Sequence, residues 1–276
     1  MRVACAQLNV AFDRPEVNVA KAIQVLRDSN QNGVDLVVLP ECFLTGYCVS
    51  TREDAARISL EIPGSGEQYL KQISAECQTL GIHCVVGFAQ KSGSDLFNSA
   101  ALVEPSGKIN YYQKTHLPHL GYDRFASPGS ELTVFDCDLG KIGVLICFDL
   151  RHPEPTRVLA LQGAELIVLP TNWPVGAHAG PNFVASTRAA ENRVFFATCN
   201  RVGDENSFSF IGQSGIYEVT GLPLAKAGTE EEIIVADIDL AEARIKKTVI
   251  RPDEYEITMF QSRRPELYGE LIRSDS

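Results

Sequence analysis

The sequence predicts an α/β protein in which two sheets pack together with helices on the outside. Short apolar runs of strand length alternate with amphipathic helical patterns along most of the 276 residues. Residues 34–40 and 164–170 resemble each other, since each segment ends in Leu-Pro and follows a helical pattern that closes at a glycine. Two such halves would form two packed sheets. No Pro- or Ser-rich linker divides the chain, so we expect a single domain over residues 1–276.

Eleven segments are predicted to be strands, because they are apolar, short and bounded by turn-forming residues. In chain order they are residues 2–8, 35–40, 82–89, 97–103, 108–113, 131–135, 141–147, 165–170, 194–200, 214–219 and 232–238. A Glu-Pro-Ser-Gly turn joins the fourth segment to the fifth, and a Leu-Gly pair lies between the sixth and the seventh. Each of these two pairs is therefore expected to form a hairpin.

Four segments are predicted to be helices, because apolar residues recur in them at a spacing of three to four. They are residues 15–30, 65–80, 154–162 and 182–193. Gly33, Gly81 and Gly163 follow the first three helices and mark their ends. Residues 251–276 contain two prolines that oppose helix formation, and we expect this segment to be an extended C-terminal tail.

The composition is typical of a globular protein with a sizeable core. Hydrophobic residues make up 45% of the chain. The formal net charge is −10 and no run rich in Lys or Arg occurs, so nucleic acid is not an expected partner. No apolar run is long enough to span a bilayer, so we expect no membrane association either.

The eight cysteines are expected to be reduced thiols rather than disulfides. Cys5, Cys84 and Cys199 lie inside apolar strand patterns, where a thiol behaves as a small hydrophobic group. No C-x-x-C pair occurs, which argues against zinc-ribbon and thioredoxin-like sites. We expect no secretory segment at the start of the chain, and we therefore expect a cytoplasmic protein.

Three residues of different chemistry each lie at the end of a predicted strand. Glu41 follows one strand, Lys114 follows another, and Cys147 is the last residue of a third. Open α/β sheets bind ligands at the carboxyl ends of their strands, so these side chains are expected to meet. A thiolate is a nucleophile, a nearby ammonium lowers its pKa, and a carboxylate can accept the thiol proton. Each residue alone is more often structural, but the three together indicate a cysteine hydrolase.

These residues lie in motifs that resemble the nitrilase superfamily of carbon–nitrogen hydrolases. Residues 38–41, 112–117 and 146–154 resemble the glutamate, lysine and cysteine motifs of that family, in the same order. Residues 188–192 resemble a later family helix, and the likeness begins at residues 3–7. It covers nearly the whole chain.

The resemblance implies a four-layer α-β-β-α sandwich and a triad of Glu41, Lys114 and Cys147. In this family, Glu41 would accept the proton of Cys147, and the thiolate would attack an amide carbonyl. Lys114 and the backbone N–H of Phe148 would hold the oxyanion, an interaction worth on the order of 3 kcal/mol for Lys114. Family members usually pair across the helix layer beside the cysteine motif, so a homodimer or higher homo-oligomer is implied.

One motif departs from the family pattern. Related enzymes often carry a second glutamate a few residues before a Pro-Gly pair, where it orients the substrate. Residues 120–129 contain no glutamate, and Tyr122 occupies the equivalent position. Asp123 is expected either to replace that glutamate or to pair with Arg124, and we favour the pairing. Asp123→Asn is accordingly expected to leave kcat within about tenfold, roughly 1.4 kcal/mol of barrier.

The residues after the cysteine favour amides as substrates. Phe148-Asp149 resembles the amidase and carbamoylase branches, whereas nitrilases tend to have Trp-Glu there. Carbamoylases tend to carry two arginines after the motif, but this chain has only Arg151, which we expect to form a structural ion pair. The expected substrate is a small neutral or monoanionic carboxamide. An N-carbamoyl hydrolase, a nitrilase and a catalytically idle binding or scaffold protein stay as alternatives.

Several residues near the three motifs are expected to bind the substrate, and most would line a largely apolar cavity. They are Tyr47, Tyr122, Asp123, Phe148, Asn172 and Trp173.

No cofactor and no metal site is expected. A proline separates His116 from His119, so this pair is interpreted as part of a loop. A Cys-His protease site that uses His152 or His178 would leave Glu41 and Lys114 without a role.

Overall fold

The computed structural model describes residues 1–273, and it confirms the predicted α/β class. The helices are α1 (Pro15–Gln31), α2 (Arg52–Ile58), α3 (Glu67–Leu80), α4 (Pro153–Leu161), α5 (Ala185–Asn192) and α6 (Leu240–Arg244). The strands are β1 (Arg2–Gln7), β2 (Leu36–Val38), β3 (Leu60–Glu61), β4 (His83–Ser92), β5 (Asp95–Val103), β6 (Ile109–Gln113), β7 (Val134–Cys137), β8 (Gly140–Val144), β9 (Leu166–Thr171), β10 (Phe195–Asn200), β11 (Val202–Glu205), β12 (Phe208–Ile211), β13 (Gly215–Tyr217), β14 (Pro223–Lys226), β15 (Glu232–Asp237), β16 (Thr248–Arg251) and β17 (Tyr255–Ile257).

Each of the two large sheets has three parallel strands at its centre. The first has the order β15-β1-β2-β4-β5-β6, with β3 beside β4, and the second has the order β14-β13-β10-β9-β8-β7. In the first sheet β2 pairs in parallel with β1 and β4, and in the second β9 pairs in parallel with β8 and β10. The two similar segments noted in the sequence are β2 and β9 with their flanking residues. They therefore occupy equivalent central positions.

The sheets pack face to face and the helices cover their outer faces. One core cluster joins Val38 and Val85 of the first sheet to Val144 and Ile167 of the second. The same cluster takes in α4 and α5 through residues such as Leu159 and Ala189. A second cluster packs α1 and α3 against the outer face of the first sheet. This arrangement has the four layers that the resemblance implied.

The strand before Cys147 and the helix predicted at 182–193 are both shorter than expected. The strand predicted at 141–147 ends at Val144, and Cys147 begins a 3₁₀ turn that extends to Arg151. The helix predicted at 182–193 begins only at Ala185, after a π-helical turn at Gly180–Val184. A Cβ atom at Gly180 would lie 2.8 Å from the ring of Trp173, so the close approach there requires glycine.

Eight elements were missed by the sequence patterns, namely α2, α6, β3, β11, β12, β14, β16 and β17. Thr51 caps the N-terminus of helix α2, because its side chain accepts a hydrogen bond from the backbone N–H of Asp54. Thr51 and Asp54 form the S/T-x-x-D/E start signal, so the sequence did contain a sign of this helix. Strands β11 and β12 form a hairpin around Asn206, which has a φ of 54°.

The C-terminal segment is mostly exposed, and α-helix is absent from its described part, residues 251–273. It begins within the β16–β17 hairpin, and Phe260 then packs against the core of its own chain. The guanidinium of Arg157 lies 5.0 Å from the centre of the Phe260 ring, and the ammonium of Lys246 lies 5.3 Å from it. Residues 274–276 of the predicted tail lie outside the described residues. Among residues 1–273, no helix is both long and apolar enough to cross a membrane.

Candidate active site

The structure brings the carboxylate and the ammonium together at the edge where strands of both sheets end. Glu41 follows β2 after two residues and Lys114 follows β6 directly. Lys114 Nζ donates a hydrogen bond of 2.7 Å to Glu41 Oε1, and both side chains are fully buried. Cys147 lies close enough that both charges shift its pKa.

A tight backbone contact fixes the loop that carries Glu41. At Gly87 of β4, a Cβ atom would lie 2.6 Å from the backbone N of Cys42 and 2.8 Å from the Cα of Glu41. Cys42 itself has a φ of 47°, in the left-handed region that few non-glycine residues adopt. The side-chain amide of Asn98 donates a hydrogen bond of 2.7 Å to Glu41 Oε1. Glu41 Oε2 is buried and has no hydrogen-bond partner within residues 1–273, so it is free to accept a proton.

Lys114 is held by a second buried carboxylate, that of Asp123. Lys114 Nζ donates a hydrogen bond of 2.6 Å to Asp123 Oδ2. Asp123 also accepts hydrogen bonds from Asn98 (2.8 Å) and from the hydroxyl of Tyr47 (2.9 Å). The expected pairing of Asp123 with Arg124 is wrong, because the Arg124 guanidinium donates to backbone carbonyls instead. An aspartate one position after the usual glutamate reaches the ammonium because the chain turns into a 3₁₀ helix at Gly121–Arg124.

The balance of burial and neighbouring charges raises the pKa values of both Glu41 and Lys114. Burial raises the pKa of Glu41, and the negative charge of Asp123 adds to this effect against the opposing charge of Lys114. Burial alone lowers the pKa of Lys114, but the charges of Asp123 and Glu41 outweigh it and raise that pKa well above its usual value. Lys114 is therefore harder to deprotonate than an exposed lysine, and Glu41 is easier to protonate than an exposed glutamate.

Cys147 occupies a strained position at the mouth of the site. Its φ is 43°, at the point where the chain leaves β8 and enters the 3₁₀ turn. Left-handed non-glycine residues cost of order 1–3 kcal/mol and cluster at active sites. Burial and the charge of Glu41 raise the pKa of the thiol to about 12, against a smaller opposing effect of Lys114. The thiol of the free protein is therefore neutral.

Asp149 connects the cysteine loop to the lysine loop. Its Oδ2 accepts hydrogen bonds from the backbone N–H of Ile146 (2.9 Å) and from the hydroxyl of Tyr112 (2.7 Å). Its Oδ1 accepts hydrogen bonds of 3.0 Å from the side chain of Thr115 and from the backbone N–H of His116. The carboxylate is fully buried, so these hydrogen bonds position Cys147 relative to Lys114.

A buried ion pair holds the loop that carries Tyr47. Arg201 Nη1 donates a hydrogen bond of 2.5 Å to Glu205 Oε2, and both side chains are buried. Glu205 Oε1 accepts hydrogen bonds from the backbone N–H groups of Tyr47 (2.7 Å) and Cys48 (2.6 Å). The pair therefore fixes the position from which the Tyr47 hydroxyl reaches Asp123.

A cavity of about 190 Å³ opens beside Cys147. It is lined by Tyr47, Pro118, Leu120, Cys147, Phe148, Leu150, Arg151, Asn172, Trp173, Pro174 and Ala177. The side-chain amide of Asn172 is buried, and neither its nitrogen nor its oxygen has a hydrogen-bond partner within residues 1–273. Arg151, which was expected to form a structural ion pair, forms none among these residues and lines the cavity instead.

Two predicted site residues lie behind the cavity rather than on its wall. Tyr122 is fully buried, and its hydroxyl hydrogen-bonds with Ser59 (2.8 Å) and with the backbone carbonyl of Gln90 (3.0 Å). Asp123 does not line the cavity, but it accepts a hydrogen bond from the hydroxyl of Tyr47, which does. The four other predicted substrate-binding residues all line the cavity.

The sequence analysis missed four further residues of the site, and the local sequence signals their roles to different degrees. They are Asn98, Asp149, Arg201 and Glu205. Asp149 lies inside the cysteine motif, so its position could have drawn notice. Asn98 is a polar residue in an apolar strand, which is a weak signal. Nothing in the local sequence marks Arg201 and Glu205, because their role depends on contacts with Tyr47 and Cys48.

The buried Glu41–Lys114 pair beside Cys147 agrees with comparisons to known proteins. The family described as carbon-nitrogen hydrolase matches residues 2–247. The chain belongs to the carbon–nitrogen hydrolase family.

Relatives with this fold carry both nitrilase and amidase names. The chain is 38% identical over 272 residues to a protein named nitrilase from Pyrococcus abyssi, which covers 97% of this chain and 99% of that one. It is 32% identical to the 2-oxoglutaramate amidase of Bacillus subtilis, over 92% of this chain and 98% of that protein. The NitN amidase of Nesterenkonia sp. AN1 has the same fold, with a TM-score of 0.84 at 23% identity, over 99% of this chain and 100% of that one. This carbon–nitrogen hydrolase is thus an enzyme of the amidase-like kind.

Proposed function

We propose that this carbon–nitrogen hydrolase cleaves the carboxamide group of a small linear amide through a thioester on Cys147. The observation that carries the proposal is the buried Lys114, which is held between Glu41 and Asp123 next to a thiol that faces a small cavity. A base, a cation and a nucleophile within one buried cluster are what amide cleavage requires.

Charge balance favours proton transfer from Cys147 to Glu41. With Asp123 and Glu41 ionised and Lys114 protonated, the cluster carries one net negative charge. A second negative charge on the thiol would be unfavourable, which accounts for its raised pKa. Transfer of the thiol proton to Glu41 leaves the total charge unchanged, and the raised pKa of Glu41 makes that carboxylate a good acceptor.

The thiolate then attacks the amide carbonyl and forms a C–S bond. The carbonyl oxygen gains negative charge, which the Lys114 ammonium stabilises together with the backbone N–H of Phe148. The C–N bond breaks as protonated Glu41 donates its proton to the leaving nitrogen, so that ammonia departs and a thioester stays on Cys147. Glu41 then accepts a proton from water, the hydroxide attacks the thioester, and the carboxylic acid leaves as the thiol is re-formed.

The cavity supports a monoanionic carboxamide rather than a neutral one. Arg151 lines the cavity and forms no ion pair within residues 1–273. A carboxylate at the far end of the substrate would provide its partner. The Bacillus subtilis relative is named for 2-oxoglutaramate, an amide that carries a carboxylate. The free Asn172 side-chain amide supplies one donor and one acceptor for the same substrate.

A substrate panel tests the proposed function. Ammonia release is measured for short amides with and without a terminal carboxylate, for matched nitriles and for N-carbamoyl amines. We expect turnover of the amides and a thioester mass adduct that disappears in Cys147→Ala. Ammonia release by Cys147→Ala at the native rate would contradict the mechanism, and turnover confined to nitriles or carbamoyl compounds would contradict the substrate class. A protein that releases nothing and forms no adduct would be a binding or scaffold protein.

We further propose that the enzyme forms a homodimer through the outer face of α4. Val158 and Leu161 are exposed on that helix, and the nearby C-terminal segment exposes Leu271. An apolar surface of this kind is typical of an interface. Light scattering tests the proposal, and a monomeric mass at micromolar concentration would contradict it.

We also propose that the enzyme works in a reducing compartment such as the cytoplasm. All eight cysteines are free thiols in the structure. The measurement is thiol counting on protein purified without reductant, and a stable disulfide would contradict the proposal.

A further inference from the structure

A buried histidine outside the active site has ring nitrogens without hydrogen bonds. His83 begins β4 and is 2% exposed. Its Nε2 lies 2.7 Å from Asp138 Oδ1, yet neither ring nitrogen makes a hydrogen bond of acceptable geometry within residues 1–273. Buried polar atoms normally have partners, so this histidine is poised to bind something else.

Three metal-binding side chains meet at this point. One donor atom from each of His83, Cys137 and Asp138 lies within 4.8 Å of the other two. A tetrahedral zinc ion with bonds of about 2.0–2.3 Å needs its donors roughly 3.5 Å apart. Asp138 is mostly exposed, in the turn after β7, so its side chain is free to make the small adjustment.

The charge around the Cys137 thiol favours a cation. The carboxylates of Glu104 and Asp138 lie near enough to place negative potential on this thiol. A bound divalent cation would neutralise this negative potential and stabilise the thiolate. Imidazole, thiolate and carboxylate together suit zinc rather than magnesium or calcium, which prefer oxygen ligands.

We propose that His83, Cys137 and Asp138 form a zinc site that ties the two sheets together. His83 belongs to the first sheet, whereas Cys137 ends an edge strand of the second sheet. Three protein ligands leave the fourth position to water. The site is independent of the proposed amide chemistry, because His83 lies four residues before Gly87, where the Glu41 loop packs, or roughly 13 Å along an extended strand.

Zinc binding to the full-length, chelator-treated and reduced protein tests the proposal. The catalytic thiol is a competing ligand, so the measurements are made on Cys147→Ala. We expect one zinc ion per chain by equilibrium dialysis and elemental analysis at micromolar free zinc. We also expect a sulfur-to-cobalt charge-transfer band when Co²⁺ replaces zinc. Adding Cys137→Ser should abolish the band and weaken zinc binding by at least about 100-fold, because even residues behind metal ligands contribute about 10- to 100-fold.

If Cys137→Ser folds poorly, a matched pair of aspartate variants still tests the zinc site. Asp138→Asn changes an exposed side chain and should weaken zinc binding. Asp136→Asn, an equal charge change two residues away on β7, should not. Zinc should raise Tm for Asp136→Asn but not for Asp138→Asn, and in the otherwise native protein both should leave amide turnover unchanged. Equal zinc binding in the two variants, or no binding at micromolar zinc, would overturn the proposal.

Discussion

The carboxylate of Asp149 accepts a hydrogen bond of 2.7 Å from the hydroxyl of Tyr112, across the gap between the cysteine loop and the lysine loop. The same oxygen accepts the backbone N–H of Ile146, immediately before the nucleophile. One buried side chain thus sets the distance between two of the three reactive groups. Asp149 touches no reacting atom, so it is a positioning residue.

Asp149→Asn should lower kcat by about 100-fold, because displacement of a reactive group by about 1 Å costs that much. The asparagine NH₂ group would face donors such as the Tyr112 hydroxyl and the Ile146 N–H, which repel it. KM should change little, since Asp149 does not line the cavity. Steady-state kinetics and the rate of Cys147 alkylation measure the effect. The control is Asp136→Asn, and an equal loss in both variants would contradict the positioning role.

Asp123→Asn should lower kcat by far more than the tenfold expected from the sequence. Asp123 accepts a 2.6 Å hydrogen bond from the buried Lys114 ammonium, and removal of its charge leaves that ammonium less well held. We expect a loss of about 100-fold, or about 2.7 kcal/mol of barrier. The matched control is Tyr122→Phe, which removes a neighbouring buried hydroxyl that contacts neither Lys114 nor Glu41. A loss below tenfold for Asp123→Asn would restore the original expectation.

The pH profile of kcat/KM should have an acid limb above the ordinary glutamate pKa of 4.5. Burial raises the pKa of Glu41, and protonated Glu41 cannot accept the thiol proton, so activity should rise as pH increases through that pKa. The raised pKa of Lys114 keeps this side chain protonated through neutral and mildly alkaline pH, so it adds no alkaline limb there. The midpoint belongs to the coupled cluster rather than to Glu41 alone. An acid limb centred below 4.5 would be inconsistent with this assignment.

Gly87→Ala should destabilise the protein and disturb the Glu41 loop together. The new Cβ would lie 2.6 Å from the backbone of Pro40 and Cys42, neither of which can move without shifting Glu41. Overpacking of this kind costs about 1–3 kcal/mol, which thermal unfolding would detect as a lower Tm. Gly269→Ala is the control, since its Cβ would meet no atom within 4 Å. Unchanged Tm and kcat in Gly87→Ala would contradict the packing argument.

Arg151→Gln should change KM for negatively charged amides but not for neutral ones. If Arg151 binds a substrate carboxylate, its loss should raise KM for monoanionic amides by about tenfold or more, the equivalent of about 1.4 kcal/mol. Neutral amides of the same length should keep their KM. Arg193→Gln serves as a control, because Arg193 donates to Ile245 and Thr248 far along the chain and does not line the cavity. Equal effects on charged and neutral amides would show that Arg151 acts otherwise.

The sequence predicted the reactive residues better than it predicted the residues that hold them in position. Glu41, Lys114 and Cys147 each follow or end an apolar run, and strand ends in parallel sheets share an edge, so local pattern was enough to predict the contact between Glu41 and Lys114. Asp123 was assigned the wrong partner because a 3₁₀ turn, which periodicity does not reveal, rotates it toward Lys114. The role of Glu205 was not visible because the backbone N–H groups that it binds, those of Tyr47 and Cys48, are more than 150 residues away.

The left-handed backbone at Cys147 places stability and activity in opposition at one residue. Glycine adopts this conformation without strain, so Cys147→Gly should unfold at a higher temperature than Cys147→Ala while both are inactive. A search for thermostable variants would therefore favour replacements that delete the nucleophile. Selection for heat resistance in this enzyme needs an activity screen from its first round.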